Sequence, residues 1–188
     1  MKIDAQGPVL ESERLSMRSL SSADEALYCE LYTSAQVMQF VGAPQSRESA
    51  LDAFRKSLER MNQGEFERRV VVLIDRASQE PIGISSVRLL AGTKGRAEVG
   101  TLLKPGAHEK GFGIECSVAL ITQAFKRPQI KELVAYSAPE NAIVDRLLVE
   151  LGFARDEQMP PKNGLPIRTR WLLTRDAWAK RDSSRKSK

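Results

Sequence analysis

Histidine occurs once in this chain, at His108, and cysteine twice, at Cys29 and Cys116. One imidazole and two widely separated thiols give neither a disulfide framework nor zinc-ligand spacing, so no metal is expected. A Ser-His-Asp hydrolase would have to use His108, and no G-x-S-x-G elbow accompanies it. Long apolar runs are absent too. The longest, Val70-Val71-Val72-Leu73-Ile74, has five residues, against the roughly 20 that a membrane-spanning helix needs. The stretch Met1 to Leu10 has no basic segment leading into an apolar one, so neither a secretory signal nor a membrane partner is expected. Free, buried thiols suit a reducing compartment, which makes a cytoplasmic location the expectation.

What is present is enough for one domain and hardly for two. The chain has 188 residues, 41% of them hydrophobic, which suffices for a packed core. The formal net charge of +5 is unevenly placed. Residues 180–188 hold five basic side chains (Lys180, Arg181, Arg185, Lys186, Lys188) and one acid, Asp182, leaving about +1 for residues 1–179. We therefore expect a single domain over 1–179 and a basic, disordered tail over 180–188. The high isoelectric point belongs to that tail and argues against a nucleic-acid partner for the body.

Hydrophobic periodicity sets out the elements. Arg14 to Leu20 alternates and reads as a strand. Ser21 or Ser22 caps a helix carrying Leu27 and Leu31. After the break at Gly42-Ala43-Pro44, a second helix carries Leu51, Phe54, Leu58 and Met61 and ends near Gly64. Phe66 to Ile74, Ile82 to Leu90 and Arg96 to Leu103 are strands with short connections, hence an antiparallel meander. Gly111 to Phe125 is a helix with Ile114, Val118, Ile121 and Phe125 at helical spacing. Leu133 to Tyr136 is a strand. Pro139 to Leu151 is a helix, with Ile143, Leu147 and Leu151 inward, Ser137 and Glu140 at capping-box spacing and Gly152 at its C-cap. Phe153 begins another strand, Ile167 to Leu173 is the last, and a short helix around Asp176-Ala177-Trp178 closes the domain. The order β-αα-βββ-α-β-α-β-β is that of a mixed-sheet α/β protein.

The chemistry points to Leu102-Leu103-Lys104-Pro105-Gly106-Ala107-His108-Glu109-Lys110-Gly111-Phe112-Gly113-Ile114-Glu115, where a strand ends and two glycines open a helix. A helix N-terminus leaves backbone N–H groups unpaired and carries partial positive charge. Glycine lets a bulky anion approach that backbone. Such a turn suits a phosphate or pyrophosphate. It is not a Rossmann fingerprint, whose third glycine would fall on Cys116. Nor is it a P-loop, which needs Lys and Ser/Thr where Phe112 and Gly113 stand.

The arrangement resembles the GNAT superfamily of acetyl-CoA-dependent N-acetyltransferases. That family has a Gln/Arg-x-x-Gly-x-Gly/Ala turn, read here as His108-Glu109-Lys110-Gly111-Phe112-Gly113. Its next block has an Asn near the start of a helix ending in Leu-Gly-Phe, read here from Asn141 to Leu151-Gly152-Phe153. The opening Glu11-Ser12-Glu13-Arg14-Leu15-Ser16-Met17-Arg18, with Ala97-Glu98-Val99-Gly100 and the closing Arg170 to Trp178, is similar to the Rim-type branch, which includes enzymes acetylating ribosomal-protein N-termini. The resemblance covers about residues 10–178.

It implies a mostly antiparallel central sheet with helices on both faces, and acetyl-CoA as co-substrate. The pantetheine arm would insert beside Leu102 and Leu103. Lys110, Gly111, Phe112, Gly113 and Ile114 would hold the pyrophosphate, with His108 in the Gln/Arg place, and Asn141 would bond the cofactor near its sulfur. A primary amine is mostly protonated at neutral pH, so a base must remove a proton. Glu98, on the strand face opposite Ala97 and Val99, is the candidate. Val144 stands where Rim-type enzymes often have Ser, so Tyr136, Ser137 or solvent is left as proton donor to the departing thiolate. Glu115 in the first helical turn is accounted for by the helix dipole, and Cys116 by burial. The expected acceptor is a protein N-terminus or a small amine. Family members often dimerise, so a homodimer is among the implied states. The departures at His108 and Val144 keep open a non-catalytic acyl-CoA-binding or protein-interaction module on the same fold.

Overall fold

The computed structural model describes residues 10–62, 68–161 and 166–186, with side chains as far as Arg181. Gly64 and Phe66, expected at a helix end and a strand start, lie outside the described residues. Eight strands form one sheet in the order β1-β2-β3-β4-β5-β6-β8-β7. They are β1 Leu10–Glu11, β2 Leu15–Ser19, β3 Arg68–Asp75, β4 Pro81–Leu89, β5 Arg96–Leu103, β6 Glu132–Ser137, β7 Ala154–Met159 and β8 Arg168–Thr174. The helices are α1 Glu25–Thr33, α2 Ala35–Met38, α3 Arg47–Asn62, α4 Phe112–Phe125, α5 Ala142–Leu151 and α6 Arg175–Lys186.

Alternation along the strands divides the sheet between two cores. Met17, Val71, Leu73, Val87, Ala97, Leu133, Ala135, Trp171 and Leu173 face α4, α5 and α6. Val70, Val72 and Ile84 face α1 and α3. The fold is thus the mixed α/β architecture with helices on both faces.

Every neighbouring pair is antiparallel except β5 with β6, which is parallel. That pair has three rungs: Arg96 opposite Glu132, Ala97 opposite Leu133 and Glu98 opposite Val134. Beyond them β5 runs on to Leu103 and β6 to Ser137 without pairing to each other. The base of this seam is closed tightly. Gly95 is left-handed, its carbonyl accepts from Lys131 N–H at 2.8 Å and Glu132 N–H at 3.2 Å, and Arg96 is ion-paired to Glu132. A Cβ at Gly95 would lie 2.5 Å from the Gln129 carbonyl oxygen, a contact no side chain tolerates.

The structure corrects several expectations. β1 was missed, because two residues are too few to show alternation. Ile143 is 59% exposed rather than inward. The packed stripe of α5 is Val144, Leu147, Leu148 and Leu151, spaced i, i+3, i+4, i+7, which buries a fuller face. Ser137 and Glu140 form no capping box. The helix starts at Ala142, and Asn141 is its N-cap, accepting from Val144 N–H at 3.2 Å. Finally, α6 continues from Arg175 to Lys186, through most of the segment expected to be a disordered tail.

The entry to α1 rests on a buried acid. Asp24 is 5% exposed. It accepts from Arg18 Nη1 and Nη2 at 2.7 and 2.6 Å, and from the backbone N–H and hydroxyl of Ser21 at 2.8 and 2.9 Å. Burial pushes its carboxyl up, but the hydrogen bonds from Arg18 and Ser21 outweigh it and hold the group below its ordinary value. A depressed carboxyl contributes stability above its unfolded-state pKa, about 3.9, and loses it as pH falls through the folded one. Asp24→Ala is expected to cost about 2 kcal/mol at pH 7, less than for a fully buried pair because Arg18 is partly exposed. Urea unfolding at pH 7 and at pH 3 checks this, with the penalty shrinking at the lower pH.

Candidate active site at the open seam

Where β5 leaves β6, one strand edge faces a gap. Residues of a strand send their N–H and C=O groups alternately to either side. Lys104 N–H bonds the Ile82 carbonyl of β4 at 2.8 Å, and the Arg96 carbonyl accepts from Leu90 on that same side. The even-numbered residues of β5 therefore spend their backbone groups on β4. Val99, Thr101 and Leu103 turn theirs to the gap. Of the two leucines expected to serve a ligand there through the backbone, Leu103 is placed to do so. Leu102 is not; its side chain packs against the α1–α3 core.

The turn before α4 lies at the end of this edge. Glu109 and Gly111 are both left-handed, with φ of 60° and 79°. Gly111 is the N-cap of α4, and Glu115 N–H is bonded to its carbonyl at 3.2 Å. The N–H groups of Phe112, Gly113 and Ile114 belong to the first turn and have no acceptor within the helix. Left-handed turns that gather backbone N–H groups at a helix start form anion-binding concavities. The side chains of the turn divide the work. Phe112 is buried, while His108 and Lys110 are exposed. A Cβ at Gly113 would lie 3.3 Å from Leu147 Cδ1, so that glycine admits the close approach of α5. His108 Nε2 is 3.1 Å from the Leu103 carbonyl oxygen and donates to it, so the imidazole covers one of the groups facing the gap.

A clasp from the far end of the chain holds the turn. Arg14 donates from Nη1 to the Lys110 carbonyl at 2.8 Å and from Nε to Glu115 Oε2 at 2.8 Å. Its guanidinium lies 4.9 Å from the Phe112 ring centroid. Glu115 Oε1 also accepts from Arg14 N–H and the Ser12 hydroxyl, both at 2.7 Å. Glu115 was explained by the helix dipole alone; its charge is also met by Arg14. Nothing in local spacing announced this, since the partners are 101 positions apart.

Glu98 and Tyr136 lie on the α1–α3 face. Glu98 sits on the last rung before the strands part and Tyr136 two residues beyond it on β6. No bond joins them. Glu98 Oε2 is ion-paired with Arg88 Nη2 at 2.6 Å, a partner that strand alternation did not reveal. Tyr136 carries the guanidinium of Arg168 at 4.5 Å from its ring centroid. Ser137 is no free hydroxyl: it is buried, donates to Asp145 at 2.5 Å and accepts from Trp171 Nε1 at 2.9 Å. Asn141 uses its carbonyl oxygen as a cap, leaving its amide NH2 for other contacts. Cys116 is fully buried, and burial pushes its thiol up to about 11, which makes it no nucleophile at neutral pH. Among the described residues no group of three or more His, Cys, Asp or Glu is placed to hold a metal ion, and no helix is long and apolar enough to cross a membrane.

Comparison with known proteins bears on the family and the fold. A family model described as an acetyltransferase (GNAT) domain matches residues 14–154. The chain is 24% identical to the uncharacterized N-acetyltransferase p20 of Bacillus licheniformis over 149 residues, 78% of this chain and 83% of that one. Among solved structures, a ribosomal L7/L12 alpha-N-protein acetyltransferase, RimL, in complex with coenzyme A superimposes with a TM-score of 0.77 at 17% identity, covering 91% of this chain and 99% of that one. The spermidine N-acetyltransferase of Vibrio cholerae with CoA and spermine gives 0.76 at 18% identity, covering 89% and 99%.

The clasp has a pH signature. Burial pushes the Glu115 carboxyl up, but the hydrogen bonds from Arg14 and Ser12 prevail and hold it below its ordinary value. The clasp is therefore complete above about pH 4.3 and loosens as pH falls through the folded value. By NMR, exchange of the Arg14 amide hydrogen, corrected for intrinsic rates, is expected to stay flat from neutral pH down to that range and then rise. In Glu115→Ala it is expected to be about ten-fold faster at pH 7.

Proposed function

The chain belongs to the GNAT acetyltransferase family, and we propose that it transfers the acetyl group of acetyl-CoA to a primary amine by direct attack, with both substrates held at the open seam. The carrying observation is the three-rung parallel pair that opens after Glu98 and Val134, with the α4 turn at the end of its free edge. The residues fit the co-substrate. A pantetheine arm contains amides, which match the unpaired groups of Val99, Thr101 and Leu103. A pyrophosphate matches the first-turn N–H groups of Phe112, Gly113 and Ile114, with the cations Lys110 and Arg14 beside them. Acetyl-CoA supplies an activated acyl group as a thioester, whose thiolate is a tolerable leaving group.

The division of the sheet supports a side for each substrate. The anion turn sits with α4, so the amine approaches from the α1–α3 face, where Glu98 and Tyr136 lie. Arg88 holds one oxygen of Glu98, leaving the other to take the ammonium proton. Tyr136 is the proton donor on the opposite strand. Asn141 positions the sulfur end through its amide NH2. His108 must release the Leu103 carbonyl when the arm enters. Exposed Phe40 and Val41, which follow α2, offer apolar surface for the acceptor. The Rim-type character rests on the Glu11–Arg18 opening, whose Arg14 clasps the turn. Within that reading the protein is one domain, with α6 as its closing helix.

Two substitution series test this. Gly111→Ala places a side chain at φ 79°, at a cost of about 1–2 kcal/mol. It is expected to weaken acetyl-CoA binding roughly 5- to 30-fold by calorimetry, while Gly111→Asp, which adds charge, abolishes it. Full affinity in folded Gly111→Asp removes the turn from the site. Glu98→Ala is expected to lower kcat for thiol release by about 10²-fold or more with cofactor affinity little changed. Binding of acetyl-CoA without thiol release on a broad amine panel would leave an acyl-CoA-binding module instead.

A further inference from the structure

Most arginines around the site have their charge met. Arg14 is paired with Glu115, Arg18 with Asp24, Arg88 with Glu98, and Arg170 with Asp156 and Glu157 at 2.5 and 2.7 Å. Arg175 donates to the carbonyls of Phe125, Arg127 and Ile130. Arg168 is different. It starts β8, is partly buried, and has no acidic partner among the described residues. Its Nε–H is sealed from solvent without an acceptor.

Its position gives that charge a use. Register places Tyr136 opposite Arg170, so Arg168 is two residues further along the same face of β8. Its guanidinium folds back over the Tyr136 ring. Stacking holds the planar group in one orientation, which reduces the ordering still needed to bind a ligand. The two Nη groups are the donors left over, and a carboxylate or phosphate accepts from such a pair in parallel. At about 3.3 Å per residue, Tyr136 lies roughly 7 Å along the strand from the rung of Glu98. An anion on Arg168 and an amine at Glu98 would thus be several bonds apart in one small acceptor.

Resting on the acetyltransferase reading above, we propose that the acceptor is an amine carrying a carboxylate or phosphate group, and that Arg168 binds that group. A polyamine would instead bring a second cation towards an unneutralised guanidinium. The anionic group has two sources, the acidic side chain of a peptide N-terminus or a small amino acid or amino phosphate.

The test uses the full chain with acetyl-CoA and acceptor pairs that differ only in charge. These are an N-terminal peptide with acidic residues against its amide counterpart, β-alanine against β-alaninamide, phosphoethanolamine against ethanolamine, and spermine. In the wild type, kcat/KM for the anionic member is expected to exceed that of its neutral partner by about ten-fold or more. The ratio falls towards one in Arg168→Gln and is partly kept in Arg168→Lys. Which pair shows the larger ratio tells peptide from small molecule. A wild-type ratio near one, a preference for spermine, or a ratio unchanged in Arg168→Gln overturns the proposal. So does an equal slowing of all acceptors, which marks a structural role. If acetyl-CoA binds and no amine yields thiol, the acetyltransferase reading fails by itself. Calorimetry of the same pairs on CoA-saturated protein then decides on Arg168, with equal affinity within pairs overturning it. Thermal melts establish that both variants are folded, and Arg168→Lys carries the comparison if Arg168→Gln is not.

Discussion

Three rungs of parallel pairing between β5 and β6 are the constraint on which the rest of the molecule depends. A parallel pair needs a crossover, and here α4 supplies it. That one connection puts a helix N-terminus beside the strand end, joins the two parts of the sheet, and leaves a strand edge unpaired where they separate. An unpaired edge is normally a liability. Here the edge lies within the sheet, beside the α4 turn, rather than at its outer rim. The pinned base at Gly95, with the Arg96–Glu132 ion pair, holds the two strands together at the end opposite the opening.

The gap is served from both sides by parts of the chain with different duties. On the α4–α6 side, backbone groups dominate, as suits an anion whose charge is spread over several oxygens. On the α1–α3 side, side chains dominate, and each is held by a charged neighbour: Glu98 by Arg88, Tyr136 by Arg168. Orientation by a neighbour reduces the side-chain entropy lost when a ligand arrives. It also means that no single residue on that face can be judged alone.

What was legible in the sequence follows from what is local. Arg96 to Leu103 was read with its observed limits, because alternation is a property of consecutive residues. The Gly111 turn and the Gly152 cap were legible because a left-handed backbone calls for glycine wherever the chain goes next. The family resemblance joined these local signs into an order. What escaped depends on placement in space. Ile143 satisfies a helical spacing as well as Val144 does, and only the sheet beneath α5 decides which is buried. Asn141 and Ser137 are both good capping residues, and Ser137 was drawn away by Asp145 and Trp171. Arg88 and Glu98 became partners through strand register, and Arg168 met Tyr136 through the pairing of β6 with β8.

The clasp between Arg14 and Glu115 also bears on how the site is born. Synthesis proceeds from the N-terminus at roughly 5–20 residues per second. Arg14 therefore waits while a hundred further residues are made before its acceptor exists. During that interval β2 can pair with β3, and the meander through β5 can form, but the turn before α4 has neither its helix nor its anchor. The bend between β1 and β2 thus braces a turn made more than halfway along the chain, and that turn is anchored only late in synthesis.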